Sequence, residues 1–207
     1  MKVVIITAPM KKPEKIYAIK YPVDGNKAIE YENPVKCPIN GVLAKTIKKD
    51  EEVKVIYIMT IGKNSNCEQN KQAFINELEE INKNIGAVLS YDTVSIDFSA
   101  TKQTYNKLIT DLAEKIPDNA ELYTDITFGF KTEILSLFCA LRFVEEFREA
   151  VVEYIVYGKI EFIEDDNTEN YMLYDITSLY YLFKLMGTMG SADAVTAAET
   201  LKNFFAM

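Results

Sequence analysis

Leu122-Tyr-Thr-Asp-Ile-Thr-Phe-Gly-Phe-Lys-Thr132 is the stretch that decides how the rest of the chain is read. Its first residues make a short apolar strand. Asp125-x-Thr127, Gly129 and Lys131-Thr132 follow, and a long amphipathic pattern begins at once. A strand that passes through a glycine turn into a helix is the repeating unit of a parallel α/β sheet. The same junction gathers backbone N–H groups, hydroxyls and one cation at a single point, the arrangement a phosphate needs. It is neither a P-loop, for want of Gly-x-x-x-x-Gly-Lys, nor a dinucleotide fingerprint, for want of Gly-x-Gly-x-x-Gly. An ordinary strand-to-helix turn, with Gly129 chosen for its backbone angle, would carry the same letters.

The chain on either side keeps the alternation. Lys2–Thr7, Val53–Thr60 and Asp92–Phe98 read as three further strands, and Glu121–Asp125 as the fourth. Pro38–Lys49 places Ile39, Val42, Leu43 and Ile47 at helical spacing. Residues 68–85 do the same with Phe74, Ile75, Leu78, Ile81 and Ile85, and Gly86 is the stop. Ser99 or Thr101 caps a third helix, whose Tyr105, Leu108, Ile109, Leu112 and Ile116 share a face, with Pro117 ending it. The helix after the key turn buries Ile134, Leu137, Phe138, Leu141 and Val144, and leaves Arg142, Glu145, Glu146 and Arg148 to solvent. Lys15–Tyr31 alternates Ile16, Ala18 and Lys20 against Tyr17, Ile19 and Tyr21 about Asp24-Gly25-Asn26, which predicts an inserted β-hairpin. Val151–Ile163 and Tyr171–Tyr174 are joined by the acidic run Glu164–Glu169, too short for a parallel crossover, so they form an antiparallel pair. Thr177–Met186 and Ser191–Phe205 close the chain as helices. The expectation is one α/β domain over residues 1–207: a mostly parallel sheet with helices on both faces, an N-terminal β-hairpin and an antiparallel C-terminal strand pair.

Composition narrows the chemistry. With 48% apolar residues in 207, a sizeable core is affordable and disorder is excluded. No apolar run reaches the roughly 18 residues of a membrane helix. Met1-Lys-Val-Val-Ile-Ile-Thr7 is too short an apolar run for a signal peptide, so a cytoplasmic location is expected. A net charge of −8 argues against duplex nucleic acid as a partner. Cys37, Cys67 and Cys139 are widely spaced and suggest neither a disulfide framework nor zinc. There is no histidine, so the commonest general acid/base and the commonest metal ligand are missing. No cofactor and no metal site are expected.

In an open sheet ordered 3-2-1-4, the strand order reverses between strands one and four, and ligands bind outside the carboxyl ends there. That places Thr7, Ala8, Pro9, Met10, Lys11 and Lys12 beside Asp125, Thr127, Phe128, Gly129, Phe130, Lys131 and Thr132. Thr60, Gly62, Lys63 and Ser65 end the neighbouring strand. Lysines and hydroxyls gathered at one edge of an acidic protein would suit a small anion. Asp125 is expected to accept turn N–H groups, which would lower its pKa.

Asp125-Ile-Thr127-Phe-Gly129-Phe-Lys131, the helix after it, the run Val151–Gly158 and Tyr174-Asp-Ile-Thr-Ser-Leu179 together resemble the CRISPR-associated Rossmann-fold (CARF) sensor domains. In the subset it looks like, the turn reads Asp-x-Thr-His-Gly-x-Arg; here Phe128 replaces the histidine and Lys131 the arginine. Lysine still binds phosphate, as a point charge rather than a fork. The resemblance implies a Rossmann-like homodimer that binds a cyclic oligoadenylate, most simply cyclic tetra-adenylate, across its two-fold axis. It implies the sensor of a type III CRISPR antiviral response, passing the signal to a fused or associated effector. In that picture Gly129 allows close approach, the N–H groups of Phe130 to Thr132 and the Thr127 hydroxyl bind phosphate, and Lys131 neutralises it. Binding without cleavage is the expectation. A metal-independent ring nuclease and an unrelated Rossmann nucleotide-binding protein are the alternatives.

Overall fold

Lys2–Thr7 is buried at every position and forms β1, near the middle of the sheet. Only a strand covered on both faces tolerates so continuous an apolar run. The chain then runs through β2 (Val23–Asp24), α1 (Pro38–Thr46), β3 (Glu52–Ile61), α2 (Cys67–Asn82), β4 (Val88–Asp97) and α3 (Lys102–Lys115). It continues through β5 (Glu121–Asp125), α4 (Lys131–Phe147), β6 (Val151–Ile163), β7 (Thr168–Asp175), α5 (Thr177–Thr188) and α6 (Ala194–Ala206). This computed structural model describes residues 1–62, 65–99, 101–163, 168–190 and 192–206.

Among the described residues, seven strands form one sheet in the order β2-β7-β6-β5-β1-β3-β4. Every neighbouring pair is parallel except β6 with β7. Side-chain alternation along β1 divides the core in two. Val3 and Ile5 face Leu108 and Leu112 of α3 and Leu137, Leu141 and Val144 of α4. Val4 and Ile6 face Ile39, Val42 and Leu43 of α1 and Phe74 and Leu78 of α2. The architecture is α/β and Rossmann-like, with β1 between β3 and β5, so the strand order reverses at β1/β5 as the sequence predicts. Thr101 caps α3, its hydroxyl accepting the Thr104 N–H at 3.2 Å.

The expected N-terminal hairpin does not form. Pro13–Lys15 and Lys27–Ile29 are single 3₁₀ turns, Ile19 bridges Val35, and Val23 and Asp24 pair in parallel with Leu173 and Tyr174. The alternation is misleading because Ile16 and Tyr21, which a hairpin would send to opposite faces, are both buried on the α1/α2 side. The segment is a strap pinned by Ile16, Tyr21, Val23 and Ile29, and β2 extends the sheet beyond β7. The carboxylate of Glu145 is also not solvated: its side chain is 4% exposed, takes the Tyr180 hydroxyl at 2.6 Å and meets Lys184 at 3.3 Å, docking α5 onto α4. Residues 164–167 of the acidic run lie outside the described residues. No helix among the described residues is long and apolar enough to cross a membrane.

Candidate functional site

Gly129 sets the geometry of the turn after β5. Its φ is +101°, and a Cβ there would stand 2.4 Å from Thr7 Cγ2 and 3.0 Å from a Glu133 carboxylate oxygen. No other residue fits, so the β5–α4 turn lies directly on the end of β1. Gly158 closes the other side: a Cβ on it would meet Pro38 Cγ at 2.9 Å and Thr127 Oγ1 at 3.1 Å.

Between these contacts a cleft of about 390 Å³ opens at the carboxyl edge. Ala8, Pro9, Met10 and Lys11 form its β1 wall, and Thr127, Phe128, Gly129 and Phe130 its turn wall. Thr60, Tyr157 and Gly158 complete the lining. Asn70 of α2 holds the β1 loop by donating to the carbonyls of Pro9 and Lys11 at 2.6 and 2.8 Å. Phe128 lies stacked on Phe74, with ring centroids 5.9 Å apart. The Phe128 ring therefore serves packing where an imidazole would have offered a proton-transfer group.

Three groups of the expected site are engaged inside the protein. Asp125 is 1% exposed. Its oxygens accept the Thr127 N–H at 2.8 Å and the Ile39 N–H of α1 at 3.1 Å, with the Cys37 thiol 3.8 Å away. Burial pushes its carboxyl above the ordinary range, and the hydrogen bonds from Thr127, Ile39 and Cys37 pull down without prevailing. The sequence expectation of a lowered pKa is thus reversed: removing a carboxylate from water outweighs the donors gathered around it. The Thr127 hydroxyl accepts the Gly158 N–H at 2.8 Å and helps hold Asp125, so it braces the turn against β6. The Phe130 N–H is taken by Glu133, whose other oxygen accepts the Thr60 hydroxyl at 2.6 Å. Glu133, 4% exposed, is thus a carboxylate placed at the positive end of its own helix.

The remaining residues divide by position. Lys11 is exposed on the cleft wall, whereas Lys131 is exposed at the first turn of α4, off the lining. Thr132 lines a smaller adjoining pocket with Phe130, Thr60 and Glu133. Gly62 and Ser65 line a third with Thr60, where the Ser65 hydroxyl donates to the Thr60 carbonyl at 2.7 Å. Thr7 is buried under Gly129, and its hydroxyl finds no partner among the described residues. Lys12 is exposed, 4.0 Å from Glu14. Lys63 lies outside the described residues. Among the described residues, no group of three or more His, Cys, Asp or Glu side chains could hold a metal ion.

Tyr157, Gly158 and Glu133 belong to the cleft or its rim and are not among the expected site residues. The amino-terminal half of β6 had to join β5 in register for Tyr157 and Gly158, midway along β6, to reach the turn. Glu133 was readable as the third position after a helix start, where Glu reaches back to the cap N–H. No protein-family model matches the chain, and no curated protein matches it in sequence.

Proposed function

We propose that the chain is a ligand sensor in which two copies share one cyclic oligoadenylate, cyclic tetra-adenylate in the first instance. The observation that carries this reading is the cleft at the β1/β5 switch point, where Lys11 and the exposed rings of Phe130 and Tyr157 line one space. Rings stack on bases, and a lysine neutralises a phosphate. Lys131 and the first-turn N–H groups of Lys131 and Thr132, which helix geometry leaves without intrahelical partners, supply the remaining positive field. Asp125 and Thr127 act as struts and the Phe130 N–H is already occupied, so the load shifts from the turn's side chains to Lys11 and Lys131. Pockets that bury a drug-sized molecule run to about 300–1,000 Å³. One cleft therefore takes part of a four-nucleotide ring, and a symmetric pair shares the whole. The ligand's identity and the role in a type III CRISPR response, with a fused or associated effector, rest on the family resemblance.

Calorimetry with cyclic tetra- and hexa-adenylate, followed by chromatography of each mixture, tests the reading. The expected result is one ring per two chains, recovered intact. Lys11→Ala should weaken binding by about 1.5–3 kcal/mol, as for a hydrogen bond to a charged group. Neither ring binding would overturn the reading. Linear product formed in proportion to protein would make the chain a ring nuclease.

A further inference from the structure

α1 begins without a cap of its own: the Cys37 side chain gives its first turn no hydrogen bond, and Pro38 follows at once. The donors around that start are taken by two carboxylates from other elements. Glu77 of α2 accepts the Lys36 N–H at 2.6 Å, the Cys37 N–H at 3.1 Å and the Asn40 side-chain amide at 2.9 Å. Asp125, at the end of β5, accepts the Ile39 N–H at 3.1 Å, with the Cys37 thiol 3.8 Å away. Its other oxygen takes the N–H of Thr127, a residue of the cleft wall. Gly158, also in that wall, is wedged between Pro38 and Thr127 with no room for a Cβ against Pro38. The start of α1 is therefore in direct contact with the back of the cleft.

Helix geometry leaves the first N–H groups of α1 without intrahelical acceptors, so either the two carboxylates hold them or water does. Asp125, 1% exposed, reaches water only when α1 or the turn moves off it. Cys37, fully buried, lies between the two carboxylates and is shielded by the same contacts. From this arrangement we infer that the amino-terminal end of α1 is a latch on the cleft wall. Closed, it seats Asp125 and so fixes Thr127 and Gly158 in the wall. Open, it releases the N–H groups of Lys36, Cys37 and Ile39 and brings the Cys37 thiol to solvent. Val35, just before α1, carries the bridge to Ile19, so the strap loosens with the latch. An occupant of the cleft favours the closed form, and by reciprocity whatever opens the latch weakens the occupant. That last step takes its ligand from the sensor reading above; the latch itself does not depend on it.

The test treats the full chain with iodoacetamide under native conditions and follows each cysteine by peptide mass spectrometry. Each rate is divided by that of the same thiol in denaturant. Cys67, 2% exposed on the first turn of α2 and bonded to the Ala8 carbonyl, is the internal comparison. Global unfolding exposes both thiols alike, whereas a local latch exposes Cys37 alone, so Cys37 should react about tenfold faster than Cys67. Thr127→Val in the cleft wall and Glu77→Gln on α2 should each speed Cys37 by about tenfold more, the effect of one buried hydrogen bond, with Cys67 unchanged. Cyclic tetra-adenylate at about ten times its dissociation constant should slow Cys37 about tenfold. Equal rates for the two thiols, a faster Cys67, or a Cys37 rate indifferent to both variants overturns the latch. Equal acceleration of both thiols by the variants overturns it as well. Cyclic ligand bound in calorimetry with Cys37 unprotected overturns the link to the cleft and leaves the sensor reading standing. Fast Cys37 that both variants accelerate, with no binding of the cyclic ligand, supports the latch and overturns the sensor reading.

Discussion

Glu133 occupies the position that an incoming anion would take at the start of α4. Its two oxygens answer the Phe130 N–H and the Thr60 hydroxyl, so part of the positive field at the helix terminus is offset from within. Glu133→Gln should therefore have two opposite effects. Phosphate-bearing ligands should bind tighter by about 0.5–1 kcal/mol, the worth of one charge at a helix end. The fold should lose about 1–3 kcal/mol, because the amide accepts at one end only and leaves a buried donor unmet. Calorimetry and urea denaturation read the two separately, and a variant that binds more weakly would show that Glu133 organises the site. Gly129→Ala is the harsher change. A left-handed backbone costs an L-residue about 1–2 kcal/mol and overpacking about 1–3 kcal/mol more. The unfolding free energy should fall by roughly their sum. Adding Thr7→Ser removes the methyl that the new Cβ meets at 2.4 Å. The double variant should regain the packing part and keep the backbone part, and no recovery would place the strain elsewhere. Gly129 is legible in the sequence because few residues adopt its φ. The internal use of Asp125 and Thr127 is not, because a hydroxyl that binds a ligand and one that braces a strand have the same letter.

Among the elements, the β5–α4 turn and α1 are coupled through Asp125, which accepts one N–H from each. Its carboxyl is held above the ordinary range by burial, so between the ordinary and the raised value the folded state binds more protons than the unfolded one. The contribution to stability is then greatest below the ordinary carboxylate range, about 3.9, and declines as pH rises through the raised value. Glu77, whose oxygens accept the Lys36 and Cys37 N–H groups, is pushed the same way by burial. Asp125→Asn should be less stable overall, yet its stability should fall less steeply than the wild type's from mildly acid to neutral pH. Denaturant midpoints at several pH values measure this, and two parallel curves would mean that Asp125 does not change its protonation on folding. The strands and helices themselves are legible wherever burial is one-sided or complete: β1 and β5 have the bounds that the sequence predicts. The strap fails because its buried residues answer to scattered points of the α1/α2 core and follow no period.

For the whole molecule, exposed large apolar side chains recur along two helices. Leu135, Phe143 and Phe147 of α4 and Leu179, Phe183 and Met186 of α5 are all exposed. Surface helices with such faces favour a second copy, and a two-fold pair is the simplest closed arrangement. Light scattering at micromolar concentration should give twice the chain mass, and Phe147→Glu with Phe183→Glu should return the monomer. A monomer in the unaltered protein would also remove the shared-ring geometry. At this scale the sequence yields the strand order around the switch point and the meeting of the β1 loop with the β5 turn. It does not yield the placement of β2, because that pairing joins distant parts of the chain. This placement has a consequence for the order of events on the ribosome. Val23 and Asp24 find their sheet partners only when Leu173 and Tyr174 have been synthesised. Until then Ile16, Tyr21, Val23 and Ile29 lack their final anchorage, and the emerging N-terminal half carries an unsealed apolar face. A nascent chain arrested before β7 should be cut by protease within the strap while β1 and β3 resist, and release of the complete chain should abolish the cut.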